Sequence, residues 1–418
     1  MESSIGWIYF SKTHREKVGT ILELLEPEGM IDELGIGSVR DAFADQMFPG
    51  ISTIQTRAKY FFIIPYILWE YQKLKPNQRK NKDVTKFLDD REHEVMWDLV
   101  DKTIDYPDKK KLGIIGITKR RRKRIVRRPS TIYWNGLTRF GFMNNGGLGV
   151  DTFLKSKVNT TLESLISKVA IADDEQGDDN SVDFDNRFGL KVRVLDSMWK
   201  EDLNMDLNYD EADFLQNKIK ERCRGLLISE LLDNDKLYRL FSKSNDFKEF
   251  AVQAAQSDIP DPLRNILRLS HDFSEVMLGA HIAYNVWLQF SKYKSWDEIE
   301  VLDDWNEWLE NLHVNMINIR VFEVHDVIYN TNMKIGKSST KTFILNWWDI
   351  IRNQDCNIED TKEIIFQQEY ANKKYKARLR TQHLDEVFQN QWIGLGELDY
   401  RYRNAKRILI DIKEVLKK

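Results

Sequence analysis

Eleven lysines and arginines and no acidic residue occupy the twenty positions from 109 to 128: Lys109, Lys110, Lys111, Lys119, Arg120, Arg121, Arg122, Lys123, Arg124, Arg127 and Arg128. Eight of these cations fall on the ten residues Lys119 to Arg128, within a stretch that reads as a helix over Thr118 to Arg128. On a helix, those ten positions would span about 15 Å. Crowding like charges costs repulsion that an anionic partner relieves. The chemistry that suits such a segment is phosphate contact, in which cations release counterions from a nucleic-acid backbone and affinity falls steeply with salt.

The residues that follow, Pro129-Ser130-Thr131-Ile132-Tyr133-Trp134-Asn135-Gly136-Leu137-Thr138-Arg139, read as a turn and a second, Ser-capped helix, because Pro129 disfavours helical geometry at the residue before it. That is the order of a helix-turn-helix-like basic unit. Ser130, Thr131, Asn135 and Arg139 carry polar tips suited to phosphates or base edges. The candidate nucleic-acid-binding residues are therefore Lys119, Arg120, Arg121, Arg122, Lys123, Arg124, Arg127, Arg128, Ser130, Thr131, Asn135 and Arg139, with DNA favoured as the partner. Three further readings stay open. The basic helix docks on an acidic surface, such as Asp173 to Asp185 or that of another protein; the letters KRRRKR act as a nuclear-localisation signal, which requires a eukaryote; or the cations are simply solvated charge.

Other constellations offer less. The seven histidines are His14, His93, His271, His281, His313, His325 and His383, and no pair has the i, i+4 spacing of a zinc-binding helix. His271 with Glu275 and His281 comes nearest, but ten residues place His281 about 80° around a regular helix. Cys223 has basic neighbours in Arg222 and Arg224 but no evident base, which favours a buried structural thiol. Ile335-Gly336-Lys337-Ser338 resembles the end of a phosphate loop, yet Thr331 stands where the first glycine belongs. Ser338-Ser339-Thr340 is better read as a helix start. Three polar clusters sit inside apolar elements: Arg40, Asp41 and Asp45; Gln55, Arg57 and Lys59; Asp399, Arg401 and Arg403. Ion pairs fixing helix contacts are their favoured reading, with a metal-dependent nuclease built around Asp41, Asp45 and Arg57 as the enzymatic alternative. No cofactor or resident metal is expected.

These candidates must be held by a framework, and composition says which kind. The chain has 418 residues, a length suited to two or three domains. Only 20 Gly and 8 Pro argue for helices over a turn-rich β architecture. Two cysteines exclude a disulfide framework and favour a reducing setting. The formal net charge is −3, but with the window from 109 to 128 set aside, the other 398 residues carry 52 bases against 66 acids, a net of −14. The N-terminus lacks the pattern of a signal peptide, and the most apolar stretch, Tyr60 to Trp69, is too short to span a bilayer. A cytoplasmic protein with no membrane partner is the expectation.

The fold class read from the pattern is mainly α: a multi-helix globular protein with few short strands, one of them over Ser3 to Phe10. Helices are expected over His14 to Leu25, Val39 to Met47 with Ser38 as cap, Ser52 or Thr53 to Leu74, Asp90 to Ile104, Asp210 onward, Leu263 to Phe290, Trp296 to Leu312, Thr340 to Ile351, Thr361 to Leu379 and Tyr400 to Leu416. Four consecutive regions follow: 1–105, an N-terminal helical region; 106–150, the basic unit; 151–209, an acidic, loop-rich insertion or linker; and 210–418, a C-terminal helical region. No fixed-period repeat supports a solenoid.

Several stretches carry a resemblance. Ser4-Ile5-Gly6-Trp7-Ile8-Tyr9-Phe10-Ser11, Asp32-Glu33-Leu34-Gly35-Ile36-Gly37-Ser38-Val39-Arg40-Asp41-Ala42-Phe43 and Phe48-Pro49-Gly50-Ile51-Ser52-Thr53-Ile54-Gln55-Thr56-Arg57-Ala58-Lys59-Tyr60-Phe61 are similar to an uncharacterised bacterial family known as a domain of unknown function. Pro129 to Leu137 and Phe273 to Ala280 extend the likeness over most of the chain. The resemblance implies a place in anti-phage defence islands, beside helicases, methyltransferases and phospholipase D-like nucleases, and hence other defence-system proteins as partners. It carries no catalytic residues. The expected function is a non-enzymatic, nucleic-acid-contacting or scaffolding accessory subunit. A nuclease and a pure protein-interaction module are the alternatives.

Overall fold

The computed structural model describes residues 32–80, 82–103, 105, 112–117, 124–125, 127–159, 188–192, 199–201, 203–319, 338–380 and 392–417. Among these residues the chain forms fifteen α-helices and no strand: α1 (Gly37–Met47), α2 (Tyr60–Lys73), α3 (Pro76–Lys80), α4 (Val84–Lys102), α5 (Pro129–Arg139), α6 (Val150–Asn159), α7 (Tyr209–Arg222), α8 (Leu227–Asp233), α9 (Asp235–Lys243), α10 (Phe247–Ala255), α11 (Asp261–Tyr293), α12 (Val301–Ile319), α13 (Ser338–Ile351), α14 (Lys362–Lys373) and α15 (Tyr402–Leu416). The protein is mainly α. The strand expected over Ser3 to Phe10, the helix over His14 to Leu25 and the acidic stretch from Asp173 to Asp185 lie outside the described residues.

Side chains that accept orphan N–H groups set where helices begin. Asp32 caps α1, accepting from Ile36 N–H at 2.9 Å and Gly37 N–H at 2.7 Å, so the cap lies six residues before the expected Ser38. Asp83 accepts from Lys86 N–H and starts α4 at Val84, ahead of the expected Asp90. Asn208 and Glu211 form a reciprocal capping box that starts α7 at Tyr209, one residue before the expected Asp210. Helix α2 begins later than its pattern suggested, at Tyr60. The N–H groups of Thr56 and Arg57 donate instead to the Tyr133 hydroxyl, at 2.7 and 3.0 Å, and that of Ala58 donates to Asp411 at 2.8 Å. With its donors taken by side chains, that stretch stays non-helical.

The described fold divides into two compact units, each assembled from two stretches of the chain: the first from residues up to Phe43 with Arg268–Leu398, the second from Ala44–Leu267 with Asp399–Lys418. In the first unit, two indoles bond into the long helix α11. Trp308 donates to the Glu275 carbonyl and Trp347 to that of Val276, both at 3.0 Å. Trp308 lies so close that a β-carbon at Gly279 would meet its ring at 2.1 Å. Buried indoles with satisfied N–H groups thus lock α12 and α13 onto α11.

In the second unit, α2 is buried continuously from Tyr60 to Leu68. Tyr60 and Phe61 pack on Tyr133 of α5, with ring centroids 5.2 and 5.0 Å apart. Gly136 permits this approach, since a β-carbon there would sit 2.6 Å from the Gly50 carbonyl oxygen and 2.7 Å from the Phe61 ring. Two buried ion pairs, Lys59 to Glu211 at 2.7 Å and Arg57 to Asp411 at 2.9 Å, tie α2 and its lead-in to α7 and α15. Among the described residues, no helix is long and apolar enough to cross a membrane.

Candidate nucleic-acid interface

Of the basic run, Lys119, Arg120, Arg121, Arg122 and Lys123 lie outside the described residues. Those described next, Arg124, Ile125, Arg127 and Arg128, are not helical, which corrects the expectation of a helix reaching Arg128. Two local causes act. The Ile125 N–H donates to His93 Nε2 at 3.1 Å instead of to a preceding turn, and Arg128, just before Pro129, is extended with φ −71° and ψ 147°. Only the second helix of the expected helix-turn-helix is therefore seen among the described residues. His93 Nε2 is the acceptor in that contact, so its proton sits on Nδ1 and donates to the Asp89 carbonyl at 2.6 Å.

Helix α5 forms as its sequence predicted, with Pro129 at its first position. Its capping differs. Ser130 is fully buried, and its N–H and hydroxyl both donate to Glu92 of α4, the hydroxyl at 3.0 Å. Glu92 thereby caps α5 from a separate helix. Burial drives the Glu92 pKa up to about 8, against the Ser130 hydrogen bonds and the Arg128 charge, which pull it down.

The cations at the end of the run meet carboxylates of the same unit. Arg124 pairs with Asp89 and with Asp90 at 2.8 Å; Arg128 pairs with Asp151 at 2.9 Å. Arg127, Thr131, Asn135 and Arg139 are exposed, and the four-residue spacing of the last three runs them along the outer side of α5. Of the twelve candidates, these three occupy one exposed helical line, Arg127 is exposed on the extended lead-in, Arg124 and Arg128 are ion-paired, and Ser130 faces inward.

Composition alone did not single out Glu92, His93, Asp89, Asp90 and Asp151. A signal for Glu92 was nonetheless present: it shares a helical face with Leu88, Val95, Met96 and Leu99, all buried, and an acid on an apolar stripe needs a buried donor.

The other candidates do not converge. Asp41 pairs with its neighbour Arg40 at 3.0 Å, Asp45 with Arg401, and Arg57 with Asp411 and Asp206. Among the described residues, no group of three His, Cys, Asp or Glu is placed to hold a metal ion. His271 bonds Asp272 at 3.2 Å. His281 is fully buried with neither ring nitrogen hydrogen-bonded, and desolvation pushes its pKa down to about 3, which keeps it neutral. Burial raises the Cys223 pKa against the opposing pull of Arg139, the reverse of an activated thiol. The Gly336 and Lys337 of the loop-like motif lie outside the described residues, and α13 starts at Ser338. Two open clefts of the second unit, about 620 and 720 Å³, have mixed linings: Glu70, Lys82 and Arg91 in one, Lys191, Asp213 and Glu221 in the other.

No curated protein and no solved structure matches the chain. The model of a family of unknown function, DUF6361, matches residues 2–166 and 197–415. With nearly its whole length matched, the chain belongs to that family.

Proposed function

We propose that this protein is a non-enzymatic accessory subunit of a bacterial anti-phage defence system, and that it contacts nucleic acid, DNA foremost, through the run from Lys119 to Arg128 and the outer line of α5. The defence setting rests on the sequence resemblance, which implies it. The contact rests on one observation: Thr131, Asn135 and Arg139 are exposed along one side of α5 and Arg127 is exposed just before it, following a run of cations on an otherwise anionic chain. Each four-residue step along α5 rises about 6 Å, so Asn135 and Arg139 present donors along one edge where a phosphate backbone can follow, while the Thr131 hydroxyl donates to the Arg128 carbonyl at 2.7 Å. The ion pairs at Arg124 and Arg128 anchor the end of the run against α4 and α6.

Those same pairs favour a second reading. Asp89, Asp90 and Asp151 already satisfy cations of this segment, so a partner protein's acidic surface could engage the remainder.

Binding of labelled DNA and RNA, measured from about 50 to about 200 mM salt, tests both. Nucleic-acid contact predicts an affinity falling linearly on a log–log scale. A triple variant Arg127→Glu, Asn135→Ala, Arg139→Glu should bind at least about tenfold more weakly, with a salt slope shallower by about two contacts. Equal affinity across salt, or an unchanged variant, defeats the proposal. Capture of a partner protein that survives nuclease treatment and is lost on neutralising Arg120 to Arg124 establishes the second reading instead.

A further inference from the structure

A second cationic segment lies in the first unit, where α14 ends. Residues 373 to 380 read Lys-Lys-Tyr-Lys-Ala-Arg-Leu-Arg, five cations and no acid in eight positions. The apolar pattern placed them in a helix running to Leu379. Instead α14 stops at Lys373, and two 3-10 turns, Lys374–Lys376 and Arg378–Arg380, follow. The break occurs at Lys374, whose φ of 57° and ψ of −124° suit glycine far better than a side-chain-bearing residue.

Buried carboxylates hold this strained turn. Glu369, fully buried, accepts the N–H groups of Arg378 and Leu379 at 2.8 and 3.0 Å and the Tyr284 hydroxyl at 2.7 Å. Glu33, also fully buried, pairs with Lys373. Ala377 and Leu379 turn inward, while Lys374, Tyr375 and Arg380 are exposed. Tyr375 keeps 70% of its surface in water, and the Arg380 guanidinium and the Lys374 ammonium lie over the ring of Tyr370, at 4.4 and 5.7 Å from its centroid.

We propose that this turn is a contact platform for single-stranded nucleic acid, with Lys374 and Arg380 meeting phosphates and Tyr375 stacking on a base. An exposed ring flanked by cations fits a chain that offers both anionic groups and flat π faces. A duplex hides its base faces. An acidic peptide answers the cations but leaves the ring in water, and an anionic membrane, which the cations also attract, calls for an outward apolar face, whereas Ala377 and Leu379 turn inward. The platform is independent of α5, so each proposal stands or falls by its own variants.

The test is binding by the full chain of a labelled oligothymidylate, an oligouridylate, a blunt duplex of equal length, heparin, and vesicles containing phosphatidylserine. The expected result is preference for the single strands, with Tyr375→Ala weakening them roughly 5- to 100-fold, Tyr375→Phe retaining them, and heparin binding equal in wild type and Tyr375→Ala. Tyr375 is exposed, so none of these changes disturbs the core. An unaltered single-strand affinity in Tyr375→Ala overturns the proposal, as does tighter binding to the duplex or the vesicles.

Discussion

Each unit seats an exposed cationic surface on a carboxylate withdrawn from water, and the two seats are built differently. In the first unit, Glu369 takes three donors, and its neighbour Glu33 takes the Lys373 ammonium. In the second, Glu92 takes two donors from one residue, Ser130, while the nearby guanidinium of Arg128 turns to Asp151. Burial raises the pKa of both Glu33 and Glu92, but a paired ammonium opposes it at Glu33, whereas hydrogen bonds are the chief opposition at Glu92. Burial thus acts the same way on both, and what differs is the partner that opposes it. The first seat clamps a strained turn. The second starts a helix and titrates near neutrality.

The largest effect should come from removing the clamp. Glu369→Ala would leave the N–H groups of Arg378 and Leu379 without their acceptor and the Tyr284 hydroxyl with only the longer bond to Glu33 at 3.3 Å. At about 1–3 kcal/mol for each unsatisfied group, with non-additivity between neighbours, a loss of about 3–5 kcal/mol is expected. Glu369→Gln, which keeps one acceptor oxygen, should lose less. The urea midpoint of each variant measures this. A Glu369→Ala cost below about 1 kcal/mol would mean that the turn does not depend on its buried acceptor, and the contrast between the two seats would dissolve.

What the sequence made legible follows the same contrast. The mainly α architecture was readable from scarce Gly and Pro and from apolar periodicity, and α5 from Pro129 with the pattern after it, because those signals are local. The start of α2 was not: its lead-in gives N–H groups to Tyr133 and Asp411, far along the chain. Region boundaries drawn at composition changes follow chain order, whereas each compact unit joins two separated stretches. Of the candidate interface, the cations could be read, and Ser130, Thr131, Asn135 and Arg139 as polar positions, but not that Ser130 turns inward to Glu92 as its distant cap. The segment from Lys373 to Arg380 was hidden by its own periodicity. Leu379 continued an apolar stripe, and nothing local announced that Glu369 would capture the backbone five residues after the helix had stopped.

The next effect distinguishes the seats by pH. Glu92 has a folded pKa of about 8 against an ordinary 4.5. Between those values the folded state holds a proton that the unfolded chain has lost, so stability from this group is complete below about 4.5, declines as pH rises and is gone above about 8. The limit is about 1.4 kcal/mol per pH unit, and a total of a few kcal/mol is expected. Glu92→Gln cannot titrate, so the stability of wild type minus that of the variant should fall between about pH 5 and about pH 8. A flat difference would mean that Glu92 stays ionised and that its Ser130 hydrogen bonds outweigh its burial. Ser130→Ala, which removes one of its two donors, should cost about 1–2 kcal/mol.

The smallest effect probes how each unit makes its tight turns. Both units place glycine where φ is strongly positive, as at Gly394 with φ 96° in the first and at Gly50 with φ 82° in the second, where a β-carbon would meet the Phe140 ring at 3.0 Å, and the second also holds Tyr400 and Arg401 at φ 51° and 68°. The first unit places Lys374 at φ 57°. Lys374→Gly relieves that conformation but loosens the unfolded chain, so a net gain of up to about 1 kcal/mol is expected. The same variant should bind oligothymidylate more weakly, having lost a cation from the platform. A variant that is more stable and binds less well means that the strain keeps a charge at the surface. If Lys374→Gly instead lowers the melting temperature, the lysine is there for packing, and the two units differ in their buried seats but not in what those seats hold in place.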